Sequence, residues 1–215
     1  MREWLANISI WYILIAVAVL FVARLVLIRS KAPTAKSAAE VVESALIAIV
    51  LVFLVIRPFV VQAFWIPSGS MLPTLQINDQ ILVNKFIYRF HEPDHGDIIV
   101  FKSPPGISPD GKEKDFIKRL MGKPGDVIKV EEGAAYRKEK GSKEFKRLKE
   151  PYLMDPDGIY YQMDPVTVPD GMYFVMGDNR NDSNDSHAWG PLDKNRVIGK
   201  AMVRFWPLTR MGVVH

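Results

Sequence analysis

Apolar residues along this chain follow two patterns, with long stretches before position 66 and short runs after it. Ser9–Ile28 is apolar apart from Arg24, and Ala45–Ile66 contains only two polar side chains. Each stretch has about the 20 residues that a helix needs to cross the hydrocarbon core of a bilayer. The pattern therefore predicts a membrane anchor over residues 1–66, with two transmembrane helices at about 9–28 and 45–66.

The second apolar stretch ends at a helix breaker. Pro58 lacks an amide hydrogen and would kink or end a helix. We expect the second span to stop near Ile56 and Phe59–Trp65 to continue as an interfacial strand, since aromatic rings settle at that boundary. A cleavable signal peptide explains the first stretch less well, because its apolar run is long and no small-residue cleavage site follows closely. One span with a surface-lying first helix remains open.

The charge between the two stretches indicates their orientation. The connecting segment 29–40 carries Arg29, Lys31 and Lys36 against one acidic residue. Short basic loops stay in the cytoplasm. Both termini, and everything after Ile66, are therefore expected on the extracytoplasmic side of the membrane.

The apolar runs after Ile66 have the length of strands and are bounded by Gly, Pro, Asp and Asn. They are Gln80–Phe86, Asp97–Phe101, Phe116–Met121, Val127–Val130, Met172–Met176 and Val197–Phe205. A helical turn is expected only at 194–197. The predicted fold is mainly β, with N-terminal transmembrane helices followed by an antiparallel, barrel-like β catalytic domain over residues 67–215.

Composition narrows the chemistry. The chain has no cysteine, which excludes disulfides, thiolate metal sites and a cysteine nucleophile. The net charge is a modest +4, and no nucleic-acid motif accompanies it, so no nucleic-acid role is expected. The one basic cluster, 137–150, is interpreted as a solvated hairpin or loop, with contact to anionic lipid headgroups as the alternative.

A serine-bearing turn follows directly on the second apolar stretch. Ile66–Leu75 reads Ile-Pro-Ser-Gly-Ser-Met-Leu-Pro-Thr-Leu. Proline, serine and glycine in succession are ordinary turn formers, so this run alone indicates only a turn. Its position at the edge of a predicted span makes its serines candidates for chemistry at a membrane surface.

Lys118 is a candidate base for such a serine. A serine hydroxyl is a poor nucleophile until a neighbouring base removes its proton. Lysine can do this if burial lowers its pKa from ~10.4 toward ~7–8. In the strand-like run Asp115–Leu120, alternation places Lys118 on the face of Phe116 and Leu120, which would partly desolvate the amine. Strand lysines usually extend outward to water, so this pattern alone is weak.

The chain also contains His-Glu-x-x-His, at residues 91–95. A zinc protease would need His91 and His95 on one face of a helix. Pro93 would clash in a helix interior and Gly96 follows at once, so we expect a loop between strands. A membrane-embedded zinc metalloprotease that uses these histidines is kept as an alternative enzyme.

Four blocks occur in order behind the apolar segment: Ile66–Leu75, Gly96–Phe101, Lys118–Asp126 and Gly177–Gly190. Together they resemble the motifs of the bacterial type I signal peptidases (leader peptidases), which are membrane-anchored Ser-Lys proteases. The resemblance covers nearly the whole chain. It implies a serine endopeptidase of the bacterial cytoplasmic (inner) membrane that removes signal peptides from secreted precursors, with no metal or cofactor.

The resemblance also implies roles for individual residues. Ser70 would be the nucleophile and Lys118 the general base. The Ser68 hydroxyl and the Ser70 amide would form the oxyanion hole, Ser183 would orient the lysine amine, and Asp185 would support this segment. Substrate would be held as an added β-strand beside shallow apolar pockets. The residues expected to contact it are Phe64, Ile66, Leu75, Asp115, Phe116 and Ile117.

The last block departs from the usual pattern of this family. His187 stands where an arginine partner of Asp185 is common, and Asn181-Asp182 replaces the more frequent Asp-Asn order. A neutral histidine can hydrogen-bond a carboxylate but supplies a charge only at lower pH. We therefore expect Asp185→Asn to reduce activity less than Ser183→Ala.

The partners that the resemblance implies are secretory precursor proteins, membrane lipid and, by proximity, the protein-export translocon. The non-enzymatic alternative is an inactive membrane-anchored β-domain that presents peptides to a partner. Retention of Ser70, Lys118 and Ser183 together argues against that alternative.

Overall fold

The computed structural model describes residues 10–30, 32–56, 61–108, 111–155 and 157–215. The chain divides into two compact units, Met1–Gln62 and Ala63–His215. The expectations placed on Pro58 and on the first residues of the interfacial strand lie outside the described residues.

The first unit contains two helices. Helix α1 spans Ile10–Arg29, and α2 spans Ala35–Val50 and continues as a π-helix over Leu51–Ile56. Among the described helices, one segment, Trp11–Arg29, is long and apolar enough to cross a membrane. An ion pair of 2.9 Å between Arg24 and Glu43 joins α1 to α2.

The bounds predicted for the second span and its preceding loop need correction. The second helix begins at Ala35, well before the apolar stretch. The loop between the helices is therefore shorter than the predicted 29–40 and ends before Ala35. The segment 45–66 is not one helix, because Val61–Trp65 is a β-strand. The start was misplaced because a search for an unbroken apolar run passes over the mixed segment 35–44, whose alanine, lysine and glutamate residues are strong helix formers. The described helical residues run to Ile56, where the helix was predicted to stop.

The second unit is built from antiparallel strands in two sheets. The strands are β1 Val61–Trp65, β2 Gln80–Asn84, β3 Ile98–Lys102, β4 Asp115–Gly122, β5 Val127–Glu131, β6 Ala134–Lys138, β7 Lys146–Arg147, β8 Met163–Thr167, β9 Met172–Met176, β10 Leu192–Asp193, β11 Val197–Trp206 and β12 Gly212–Val213. The larger sheet has the order β1-β2-β11-β3-β4-β9-β10, with β12 paired to β11, and the smaller has the order β7-β6-β5-β8. The mainly β, antiparallel prediction is confirmed.

Short helical segments connect these strands. A four-residue helix, α3, spans Ser186–Trp189, and 3₁₀ turns occupy Ile87–Arg89, Arg180–Asp182, Lys194–Arg196 and Leu208–Arg210. All six strands that the sequence predicts are present, and no end differs from its predicted position by more than two residues. The basic run forms the predicted hairpin, since β6 pairs with β7.

Strand β4 is central to the larger sheet and presents apolar side chains to separate parts of the core. Ile117 packs in a cluster with Ile66 and Leu75, whereas Leu120 packs in a second cluster, against which Phe116 also lies. The two charged residues in the middle of β4, Lys118 and Arg119, are both buried.

Candidate active site

Ser70 and Lys118, 48 positions apart in the chain, meet in the second unit. The Lys118 Nζ lies 2.6 Å from the Ser70 Oγ. Within the described residues, its only other hydrogen-bond acceptor is the carbonyl of Ile117, at 3.0 Å. The exposed fraction is 4% for Lys118 and 9% for Ser70. The predicted contact between hydroxyl and amine is therefore within proton-transfer distance.

The strand and the turn that carry these residues are fixed independently. Lys118 lies in the paired part of β4, opposite Ile99 of β3. The turn that carries Ser70 is held by Asn179, whose amide N–H donates to the Ser70 carbonyl at 3.1 Å and whose side chain donates to the Gly69 carbonyl at 3.2 Å. The last sequence block thus positions the serine of the first.

Burial changes the acidity of the amine. It lowers the pKa of Lys118 from its ordinary value of 10.5 to about 8, against the opposing effect of the nearby carboxylates of Asp185 and Asp178. The ammonium form loses solvation in this setting, while the neutral amine does not. A substantial fraction of Lys118 is therefore unprotonated, and able to accept a proton, in mildly alkaline solution.

The Asp185 carboxylate is the centre of a buried hydrogen-bond network. It accepts bonds from the Gly177 amide at 2.8 Å, the Ser183 hydroxyl at 2.5 Å and the His187 amide at 3.1 Å. The His187 Nδ1 lies 2.8 Å from it. A side chain at Gly177 would overlap both the Ser183 hydroxyl and the Ser70 carbonyl, so a glycine is needed where these segments meet.

Ser183 was expected to orient the Lys118 amine. Its hydroxyl donates to Asp185 instead, and it is not among the contacts described for that amine. His187 takes the position expected for the partner of Asp185, through both its backbone and its ring. Asp185 also caps α3, because its side chain accepts from the second residue of that helix.

Because of this network, we revise which of two substitutions, Asp185→Asn or Ser183→Ala, should reduce activity more. An asparagine at 185 has one acceptor oxygen and turns an NH₂ group toward buried donors. We now expect Asp185→Asn to lower kcat/KM by about 100-fold, because buried donors lose their acceptor, and Ser183→Ala to lower it by about tenfold. Both values are to be measured on protein with unchanged circular dichroism. A larger loss for Ser183→Ala would show that its hydroxyl reaches the amine during turnover.

A second buried network, which the sequence motifs did not identify, supports β4 beside the amine. Arg119 forms two bonds to Asp178, of 2.8 and 2.7 Å, and the Thr74 hydroxyl lies 2.5 Å from the same carboxylate. Arg119 also stacks on Tyr152, with 3.8 Å from the guanidinium carbon to the ring centroid. Arg119 also donates to the Gly96 carbonyl at 2.9 Å, so this network joins all four blocks. The dipeptides Lys118-Arg119 and Gly177-Asp178 were its only sequence signal.

A groove of about 330 Å³ opens over the Ser70–Lys118 contact. Its walls are Pro67–Ser70 and Lys114–Lys118, together with Asp182 and Asn184. Ser68 is exposed there. Three of the expected substrate contacts, Asp115, Phe116 and Ile117, line this groove. The other three, Phe64, Ile66 and Leu75, lie in or against the core cluster that contains Ile117.

The His-Glu-x-x-His run does not have the helical geometry that a zinc protease needs. Residues 91–95 form an irregular loop, as expected from Pro93. The His95 ring lies 2.6 Å from Asp126, which ties this loop to the turn after β4. Over the described ranges, no group of three or more His, Cys, Asp or Glu residues is arranged to hold a metal ion.

Comparison with known proteins defines the class to which this fold and site belong. The model of the family described as signal peptidase, peptidase S26, matches residues 38–206. The probable signal peptidase I-1 of Synechocystis sp. is 44% identical over 169 residues, which cover 78% of this chain and 82% of that protein. The probable signal peptidase I-2 of the same organism is 43% identical over 159 residues, covering 74% and 69%.

A further relative agrees with these matches. The signal peptidase I of Leptolyngbya laminosa is 42% identical over 165 residues, which cover 76% of this chain and 77% of that protein. The chain therefore belongs to the signal peptidase family, peptidase S26. The family predicted from the four sequence blocks is confirmed, and the protein is a peptidase.

Proposed function

We propose that this protein is a membrane-bound serine endopeptidase that removes N-terminal signal peptides from secreted precursor proteins, with Ser70 and Lys118 as its catalytic dyad. The observation that carries the proposal is the distance of 2.6 Å between a buried amine and a serine hydroxyl at the base of a groove. The relatives named signal peptidase I, similar over most of this chain, support the choice of substrate.

The reaction begins with proton transfer. The neutral Lys118 Nζ takes the proton of the Ser70 hydroxyl, and the Oγ attacks the carbonyl carbon of the scissile peptide bond. The tetrahedral intermediate collapses when the Lys118 ammonium gives its proton to the leaving amine, which breaks the C–N bond. Water, deprotonated by Lys118, then hydrolyses the ester on Ser70 and restores the hydroxyl.

The oxyanion of the intermediate needs donors beside Ser70. We assign these to the Ser68 hydroxyl and the Ser70 backbone N–H, both on the turn that borders the groove. Loss of one such donor typically costs ~3–4 kcal/mol of transition-state stabilisation. The firm attachment of this turn to Asn179 supports the assignment, because preorganised donors need no rearrangement during the reaction.

The substrate would bind as an additional strand along β4. Residues 115–117 pair with β3, but the pairing of β4 with β9 starts only at Arg119. Among the described strands, none pairs with the β9 side of residues 115–117, which line the groove, and an extended peptide can hydrogen-bond to such an edge. Ile66 and Leu75 lie in the core cluster that reaches the groove at Ile117, so a small side chain of the substrate would meet apolar surface there.

The anchor and the location belong to the same proposal. Helix α1, with its apolar segment Trp11–Arg29, would hold the enzyme in the bacterial cytoplasmic membrane, with the catalytic unit on the extracytoplasmic side. Membrane lipid and, close by, the translocon that delivers precursors would then be its surroundings.

The pH dependence of precursor cleavage, together with chelator treatment, tests the proposed function. With the detergent-solubilised full chain, we expect cleavage of a secretory precursor after a small residue, with kcat/KM rising with pH and levelling off above about 8, where Lys118 becomes neutral. The value of kcat/KM falls at lower pH because protonation of the Lys118 amine removes the acceptor for the Ser70 proton. Cleavage is expected to be unchanged by excess chelator.

Two results would contradict this assignment. Activity that is lost with chelator and restored by zinc would favour the metalloprotease with His91 and His95. Binding of the precursor without cleavage at any pH would favour the inactive peptide-binding domain.

A further inference from the structure

A loop from outside the four sequence blocks, residues 158–161, docks on the last block. The Asn181 side chain accepts from the Tyr160 amide at 2.9 Å and donates to the Gly158 carbonyl at 3.0 Å. An aspartate at 181 would have no hydrogen to donate to that carbonyl. The Asn181-Asp182 order, unusual for the family, therefore has a structural reason, since it attaches this loop to the catalytic segment.

The docked loop places an aromatic ring on His187. The Tyr161 and His187 rings stack with 4.3 Å between centroids and an interplanar angle of 19°. The same tyrosine packs against the core of the smaller sheet. Its hydroxyl is buried and has no hydrogen-bond partner within the part of the chain that the structure describes. The ring face of Tyr161, rather than its hydroxyl, is thus the feature that acts on His187.

The stacked imidazole has its orientation set by Asp185. An ionised carboxylate only accepts hydrogen bonds, so the His187 Nδ1 that lies 2.8 Å from it must carry a hydrogen. The same carboxylate opposes the deprotonation of Lys118, because a nearby negative charge favours the ammonium form. Any charge placed at 187 therefore changes the field that Asp185 exerts on the base.

We propose that His187, held by Tyr161, is a positioning residue that acts through Asp185 to set the pH range in which Lys118 works as a base. The inference rests on the proposed Ser70–Lys118 mechanism but goes beyond it, since it links catalysis to the loop at 158–161. It also gives the histidine a role of its own: the hydrogen that its ring presents to Asp185 offsets part of the negative charge that this carboxylate exerts on the base.

The other charged groups around this network are paired with one another. Arg180 bonds to Glu150 and to the Gly177 carbonyl, and Asp178 is bonded to Arg119. Tyr161 faces Asp185, Arg180 and Glu150, and burial raises its pKa above the ordinary value, so it stays neutral. Among these groups in the described residues, position 187 is the one where a substitution can add a charge while the pairs Arg180–Glu150 and Arg119–Asp178 stay intact.

The test is the acid limb of the pH profile of kcat/KM for precursor cleavage. His187→Arg, which fixes a positive charge beside Asp185, should move the limb to lower pH, and His187→Ala should move it to higher pH, each by about half a pH unit. Tyr161→Ala should follow His187→Ala, since the released imidazole no longer faces Asp185 steadily. Tyr161→Phe, which keeps the stacked ring, should restore the wild-type limb.

A matched control is available on the neighbouring residue. Tyr160→Phe removes an exposed hydroxyl that bonds to Asp155 and leaves the backbone bond to Asn181 in place, so its limb should equal that of wild type. If His187→Ala does not fold, the inference is still tested by two comparisons of the acid limb. One is His187→Arg with wild type, and the other is Tyr161→Ala with Tyr161→Phe.

Two failures are distinguishable. If the His187 and Tyr161 variants all had the acid limb of wild type, and cleavage still depended on Ser70, this inference alone would be overturned. Cleavage that persists in Ser70→Ala would instead overturn the proposed function.

Discussion

Ser70→Ala is expected to leave a secretory precursor uncut while the protein remains folded. The Oγ is the only atom lost, and its described side-chain contact is the Lys118 amine, so the fold loses a single hydrogen bond. Without the Oγ no acyl-enzyme can form. Removal of the nucleophile from a serine protease lowers kcat on the order of 10⁶-fold. The measurement is the rate of precursor cleavage by gel and mass spectrometry, at a pH above 8 where wild-type Lys118 is neutral.

Ser108→Ala is the matched control for this loss. Ser108 is also a buried serine, 4% exposed, and its hydroxyl has no hydrogen-bond partner over the described ranges. Its replacement should leave the cleavage rate at the wild-type value, because it contributes no atom to the groove. If Ser70→Ala cut the precursor at the same bond and at a comparable rate, another residue would have to be the nucleophile.

The strands that the sequence predicts are those with their own apolar runs. Met172–Met176 is buried along nearly its whole length, and its bounds are the predicted ones. The missed strands are short or polar, such as β7, which consists of a lysine and an arginine, and β8, which contains Asp164 and Pro165. Both lie at the edges of the smaller sheet, where proline is tolerated. Their conformation depends on pairing with a neighbour, which no pattern within the strand reports.

The residues of the candidate site also differ in how far the sequence could predict them. Lys118 could be predicted because Phe116 and Leu120, two positions away on either side, indicate a buried face of one strand. The hydrogen bonds around Asp185 could not be predicted in this way, since they form within one block whose sequence indicates only turns. Those around Asp178 join side chains from separate blocks, which no local pattern reports. The stack of Tyr161 on His187 is further removed, because Tyr161 lies in a loop with no motif of its own.

Lys118→Arg is expected to be inactive at every pH, which separates the role of a base from that of a positive charge. A guanidinium stays protonated throughout the range in which a protein remains folded, so it cannot accept the Ser70 proton. General-base catalysis contributes about 10² to 10⁴-fold, and we expect a loss at the upper end of that range. Wild-type activity should rise as the pH passes about 8, whereas the variant should show no such rise.

The fold of the variant needs a separate check, because arginine is larger than lysine and would bury a permanent charge where the native amine is 4% exposed. Circular dichroism and thermal unfolding provide that check. Lys200→Arg, on a lysine of β11 that pairs with Asp97 at 2.5 Å, is the control for the chemical change itself and should retain wild-type cleavage.

An active, folded Lys118→Arg enzyme would mean that the proton of Ser70 goes to another group. The 2.6 Å contact would then be structural, and the depressed pKa of Lys118 would follow from burial without a catalytic purpose.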